Sequence, residues 1–522
     1  MLARTHLVLT TGRQFCSRYV DALPVRIVRC PVAFPPLTYY QLWHDVTHTS
    51  AAARWLRDQV RDVARSLASQ VLPARRGHRH MTLAAAVRPF ALRADLLDFA
   101  ADPGWSAADD APGLRFRPGH WLLVDARGRI AGVQADAPDA SWQRIDCSGR
   151  LLTPGFVDTH VHLPQLEVIA SYGTELLDWL NTYTFPAERR WADPAVCAAG
   201  AATFLDALLA HGTTSAVVFP TVHAGSADAL FAAAQQRGMR VIAGQCLMDR
   251  HAPPDLTVAV DASERDSEAL VARWHGRDRL AYAVTVRFAP TSTDAQLAMA
   301  GRLLSRHPGL YMQTHVAENR AELDWVAKLF PDARSYLDVY ARQGLVGARS
   351  VLAHGIWLDA ADHALLAREQ AQVAHSPSSN LFLGSGLMPW RALEDAGVPV
   401  TLASDVGGGT SLSMLRTMAD AYKVQAMLHQ RLPAWKALHT ATRGAAQALG
   451  LAHEIGSFDT GCLADLALWR WAAGPVATVR DAAARSLHER VFAWMTLADE
   501  RNLVATWVAG TERHRTPTET AA

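Results

Sequence analysis

The sequence predicts an α/β chain centred on a (β/α)₈ barrel, and three observations carry that expectation. From Leu151 onward a short β-rich apolar run, a polar or Gly/Pro-containing tip and a helical stretch follow one another. This is the beat of βα units around a parallel sheet. It recurs eight times over residues 151–455, close to the roughly 250 residues that such a barrel takes. An open doubly wound sheet would carry a glycine-rich phosphate turn after its first strand, but that place holds "DTHVHLPQ".

In order, each with its C-terminal tip, the candidate strands are "LLTPGFVDTHVH", "GTTSAVVFPTV", "RVIAGQCLMDR", "AYAVTVRFAPTST", "LYMQTHVAEN", "SVLAHGIW", "AQVAHSPSSN" and "VPVTLASDVGGG". The segments between them read as helices, among them "DPAVCAAGAATFLDALLAH" and "DAQLAMAGRLLSRH". Asp294, after a Ser/Thr cluster, is expected to cap the second. The flanks are β-rich. Residues 85–150 include "HWLLVDARGRIAGVQADAP", a hairpin turning at "ARG", and "QRIDCSGR"; residues 456–512 include "GCLADLALWRW" and "LVATWVAGTE". The two flanks are expected to pair into one small β-sandwich domain. Residues 66–84 read as a basic linker containing Met81, and residues 513–522 as a disordered polar tail.

Composition narrows the function classes. Half the residues are hydrophobic, enough for a sizeable core. The net charge is +1, from 51 basic and 50 acidic residues, so no global field recruits nucleic acid or an anionic membrane. Six scattered cysteines form no C-x-x-C pair, which argues against a disulfide framework or a cysteine zinc knuckle and suits a reducing compartment. No apolar run reaches the roughly 18 residues of a membrane helix, and the N-terminus turns polar too early for a secretory signal. The expectation is a soluble cytoplasmic protein with no nucleic-acid or membrane partner.

The chemistry concentrates at strand ends. Alternate residues of a strand share a face, so His160 and His162 can bind one ion together, or can be two hydrogen-bonded core histidines. Position favours the ion: His315, His354 and Asp405 also end candidate strands, and in a barrel those ends meet on the face that carries active sites. Three imidazoles and a carboxylate with room for water suit a catalytic zinc site, and Fe²⁺ suits the same ligands. The fourth strand has no lysine to bridge a second ion, so one metal is expected. Such an ion lowers the pKa of water to near 7. Glu318, three residues after His315, reads as a general acid/base or as a helix-start carboxylate. Gln165, Arg287 and Phe288 read as readers of a planar heterocycle with an amide edge; the alternatives are a loop amide, a surface cation and a core ring. The loop "HSPSSN", His375 to Asn380, lines the pocket or caps a helix.

The span from about 85 to 512 resembles the amidohydrolase superfamily, with "PGFVDTHVH", the strand-end histidines and the "SD" at strand eight. "HLPQLEVIASYGTELLDWLNTYTFPAE", "VRFAPTST", "THVAEN" and "HSPSSNLFLGSG" make it more similar to the guanine deaminases of that superfamily than to deaminases of other heterocycles. The resemblance implies a TIM-like metal-dependent hydrolase barrel and one zinc per subunit. His160, His162, His315 and Asp405 would ligate it, with His354 a further ligand or a contact to the activated water. It implies substrate contacts at Gln165, Arg287, Phe288, Glu318 and Asp405. Hydrolysis of guanine by water to xanthine and ammonia would use Asp405 and Glu318 as proton carriers beside His354, in a homodimer. Residues 1–65 instead resemble the last part of the effector domain of LysR-type regulators, an α/β fragment; Met81 is a candidate start. The competing expectations are a deaminase of another heterocycle and a non-catalytic scaffold or regulator on the same barrel.

Overall fold

The computed structural model describes residues 88–172 and 176–517. The LysR-like segment, the linker with Met81 and the end of the tail lie outside the described residues. The first flank supplies β1 (Phe90–Phe99), β2 (Leu114–Val124), β3 (Ile130–Gln134) and β4 (Gln143–Pro154). β2 and β3 are antiparallel about the "ARG" turn. β1 pairs antiparallel with β2 and parallel with β4.

The run "LLTPGFVDTHVH" is two strands rather than one: Leu151–Pro154 ends β4, and β5 (Phe156–His162) begins the barrel. Continuous apolar character hid this change of sheet. Gly155 makes the crossing. Its N–H donates to the Asp465 carbonyl at 2.8 Å, and a Cβ here would overlap the Thr214 side chain.

The barrel continues with β6 (Thr213–Phe219) and β7 (Arg240–Ala243), the short β8 (Cys246–Leu247), then β9 (Leu280–Val286), β10 (Tyr311–Val316), β11 (Ser350–His354), β12 (Gln372–His375) and β13 (Val400–Leu402). All neighbouring pairs are parallel, and β8 is a side pairing on β9. β13 returns to β5: Thr159 Oγ1 donates to the Leu402 carbonyl, Asp405 N–H to the His160 carbonyl and His162 N–H to the Val406 carbonyl, each at 2.9 Å. Small side chains fill the interior, among them Val157, Val217, Ala283, Ala374 and Ala403. Phe204, Leu208, Phe231 and Leu303 pack the helices outside.

The helix Pro194–Ala210 is capped by Asp193, which accepts from Ala195 N–H. In Asp294–Arg306 the cap is Thr293, accepting from Gln296 N–H, so Asp294 is the first helical residue and serves the macrodipole instead. β14 (Leu466–Arg470), β15 (Leu503–Val508) and β16 (Thr511–Arg515) close the chain. β14 lies antiparallel against β4, making one seven-stranded sheet from both flanks, in the order β16-β15-β14-β4-β1-β2-β3. Buried charges tie it together: Asp98 accepts from Arg115, from Arg117 Nη2 at 2.8 Å and from Phe458 N–H at 2.7 Å. Asp465 accepts from Arg279 Nη2 at 2.5 Å and Ala509 N–H at 2.8 Å. No single helix among the described residues is long and apolar enough to cross a membrane.

Candidate active site

Strict alternation along β5 does not by itself aim the two histidines. Val157 packs in the interior cluster while Val161, of the same parity, packs with the outer helices. The register against β6 slips between Asp158 and Val161, a bulge that flips the parity. With Val161 outward, His160 and His162 face the barrel mouth. Asp158 fixes the slip by accepting from Ser404 N–H at 3.0 Å and from the Ser404 hydroxyl.

Three Nε2 atoms converge there. His162 Nε2 lies 3.2 Å from His160 Nε2 and 3.2 Å from His315 Nε2. Asp405 Oδ1 is 3.1 Å from His160 Nε2 and 3.3 Å from His162 Nε2. Donors about 2.1 Å from one tetrahedral ion would be about 3.4 Å apart, so the group fits a metal ion. Among the described residues it is the one His/Cys/Asp/Glu cluster of this kind. Burial drives the His162 pKa down to about 3 against the pull of Asp405, and burial with the neighbouring rings drives His315 well below the usual range. Both rings are thus in the neutral, ligating form. Burial alone would raise Asp405, but the charge of His160 and hydrogen bonds from His160 and His162 hold it well below. His315 Nδ1 donates to the Arg287 carbonyl at 2.6 Å, leaving Nε2 free to bind.

His354 stands slightly apart. Its Nδ1 is 2.9 Å from Asn380 Oδ1, so Nε2 carries the lone pair, 3.5 Å from Glu318 Oε2 and 3.7 Å from Asp405 Oδ2. His354 and Asp405 both hold left-handed backbone, with φ of 73° and 48°, a strain of about 1–3 kcal/mol each that the packing must hold. Glu318 precedes the helix Arg320–Leu329, whose capping box is Asn319 and Glu322, so it is not the cap. Its buried carboxyl accepts from the Ser385 hydroxyl at 2.9 Å. Burial, then the charge of Asp405, pushes its pKa up to about 8.

The cleft beside the cluster holds about 440 Å³, its open mouth included, within the range of small-molecule sites. Trp179, Leu180, Phe288 and Leu383 form apolar walls, with Gln165 and Arg287 as polar lining. Arg287 is buried rather than a surface cation, and its Nη1 meets both oxygens of Glu188 at 2.7 Å. "HSPSSN" serves two ends: Ser379 lines the cleft and Asn380 orients His354, on the short helix Pro377–Phe382.

The profile of the Amidohydrolase family matches residues 151–513. The chain belongs to that family. Among its relatives, a guanine deaminase of Escherichia coli (strain K12) is 44% identical over 405 residues, 77% of this chain and 92% of that protein. The solved structure of E. coli guanine deaminase superposes with a TM-score of 0.79 at 39% identity, covering 82% of this chain and all of that one. A guanine deaminase from C. acetobutylicum, solved with guanine bound in its active site, gives 0.73 at 26% identity over 81% of this chain and 99% of that one. This amidohydrolase site also uses residues that motif reading passed over. They are Glu188, Ser385 and Glu322, the last accepting from Glu318 N–H at 3.0 Å and from the Tyr336 hydroxyl at 2.7 Å. All three touch predicted residues; Glu188 and Ser385 lie inside the quoted stretches and Glu322 completes a capping box with Asn319, so the sequence marks their places but not these contacts.

Proposed function

We infer that this amidohydrolase is a guanine deaminase, converting guanine and water to xanthine and ammonia. The likeness to guanine deaminases along nearly their full length carries the reading; the geometry supplies its chemistry. His160, His162, His315 and Asp405 would hold one zinc ion. The ion, when bound, supplies a Lewis acid that acidifies water. Every other role falls to side chains. Asp405 takes the proton of the attacking water through a carboxylate oxygen. His354 Nε2, free of any partner, accepts a hydrogen bond that orients that water. Glu318, its carboxyl protonated near neutral pH, donates to the ring nitrogen beside the amino-bearing carbon. As the C–N bond breaks, Asp405 hands its water-derived proton to the leaving amine and the Glu318 carboxylate takes the proton of the new hydroxyl, which leaves a ring carbonyl and restores both acids. Gln165 and Arg287 bind the ring's polar edge while Phe288 and the apolar walls exclude bulk water. The resemblance further supports a cytoplasmic homodimer, which sedimentation and cell fractionation read directly.

The deciding experiment incubates metal-replete protein with guanine, with and without a chelator, and measures xanthine and ammonia. Equimolar products abolished by chelation are expected. No xanthine, with ammonia released from cytosine or a hydroxytriazine instead, would move the chain to another substrate.

A further inference from the structure

Glu188 touches neither the metal cluster nor the apolar walls, yet both polar readers of the cleft converge on it. It lies on the short helix Phe185–Arg189 and is fully buried. Arg287 Nη1 donates to both of its oxygens at 2.7 Å, and Gln165 Nε2 lies 3.4 Å from its Oε1. The orientation of Gln165 is set from both sides. Its Oε1 accepts from Gly407 N–H at 2.9 Å, so the amide nitrogen must face Glu188. Gln165 therefore turns its carbonyl oxygen to the backbone, and arginine has no acceptor. What the two readers chiefly offer a ligand is N–H donors.

The same carboxylate cancels the charge of a guanidinium that burial would otherwise leave exposed to a low dielectric. Of the charged side chains lining or touching the cleft, Arg287 and Glu188 form a closed pair, and the remaining acids, Glu318, Asp405 and Glu322 behind Glu318, belong to the catalytic side.

We propose that Glu188 is a positioning residue that locks Arg287 and Gln165 as a charge-neutralised wall of N–H donors, so that the cleft selects neutral heterocycles with an acceptor edge and rejects anionic ones. The proposal rests on the guanine reading for the identity of the ring. A lone arginine in this place would attract carboxylates and ring anions; paired, it discriminates by hydrogen bonding.

A charge cycle tests it on the metal-loaded full chain, using Glu188→Gln, Arg287→Met and the double variant. The probes are hypoxanthine, neutral near neutral pH, and urate, anionic there, each titrated by calorimetry. Turnover is not needed, so a failure of the guanine reading shows separately, as no xanthine from wild type. The ratio of urate to hypoxanthine affinity should rise at least about tenfold in Glu188→Gln and fall at least about tenfold in Arg287→Met. The double variant should return to within about threefold of wild type, and the cycle cancels other differences between the two rings. Glu188→Asp, which keeps the charge, should keep the wild-type ratio. For guanine, Glu188→Gln should raise KM more than it lowers kcat. A Glu188→Gln ratio within threefold of wild type overturns the proposal. Should that variant not fold, the step from Arg287→Met to the double variant decides: a tenfold rise supports the proposal and an unchanged ratio overturns it.

Discussion

At the joint between sheet and barrel, Asp98 and Asp465 have arginines and backbone N–H groups on their oxygens. At the barrel mouth, His160 and His315 each set Nε2 3.2 Å from Nε2 of His162, ring nitrogen against ring nitrogen, and buried His354 Nε2 has no hydrogen-bond partner. Both regions bury polar groups at a desolvation cost of about 1–3 kcal/mol per unpaired atom. The joint recovers most of that cost within the fold, with only Arg117 Nε and Arg279 Nε left over among its arginines. The mouth instead turns ligand-type atoms toward one another. Convergence on one point, more than the lack of a partner, separates site from scaffold.

The sharpest way to break this contrast is at the mouth. Asp405→Asn or His160→Ala should cut bound metal from one ion per chain to near none, measured by elemental mass spectrometry. Xanthine formation should fall by at least about three orders of magnitude, with the melting temperature of the metal-free protein nearly unchanged. A large loss of metal-free stability would mean that the cluster is scaffold after all. Next in size, Glu318→Gln keeps the hydrogen bond to Ser385 possible but removes the proton. Turnover should drop about 10²–10⁴-fold with metal content intact, and undiminished ammonia release would remove Glu318 from the mechanism.

The joint should respond in the opposite currency. Asp98→Ala leaves Arg117 without its carboxylate, Arg115 with only Asp459 and the Phe99 carbonyl, and Phe458 N–H unsatisfied, so unfolding free energy should fall by about 3–5 kcal/mol in denaturant titration. Specific activity of the folded fraction should hold. The smallest effect is a pH slope at the same joint. Burial depresses His439 from 6.5 to about 4, in spite of Asp102. A folded pKa below the unfolded one means that the unfolded chain binds the proton first. The contribution is full above pH 6.5 and is lost as pH falls through 4, a slope of at most about one proton. His439→Gln should flatten the melting temperature against pH in that window, and an unchanged slope would place the titration elsewhere.

What could be read from the chain alone follows the same division. His160, His162, His315, His354 and Asp405 were legible because βα repeats put strand ends on one face, and a ligand set stands out when the same depth repeats it. Glu188 and Ser385 were not, because each acts through a contact with a residue far along the chain, which no local spacing displays. The parity flip in β5 was equally invisible: alternation placed the histidines together but a bulge, held by Asp158 and Ser404, decides that they face inward. The change of sheet inside "LLTPGFVDTHVH" escaped because both strands are buried throughout that stretch and the residues around the break, Leu151 to Val157, are apolar but for Thr153.

That change of sheet at Gly155 has a bearing on how the chain can vary in length. The sheet passes into the first strand that carries candidate ligands through a single residue that has no room for a side chain. Here an inserted or deleted residue would rotate both histidines off the mouth at once. Insertions between Leu151 and His162 should therefore disturb the site directly, and a barrel transplanted without β4 would lose the anchor that sets its first strand.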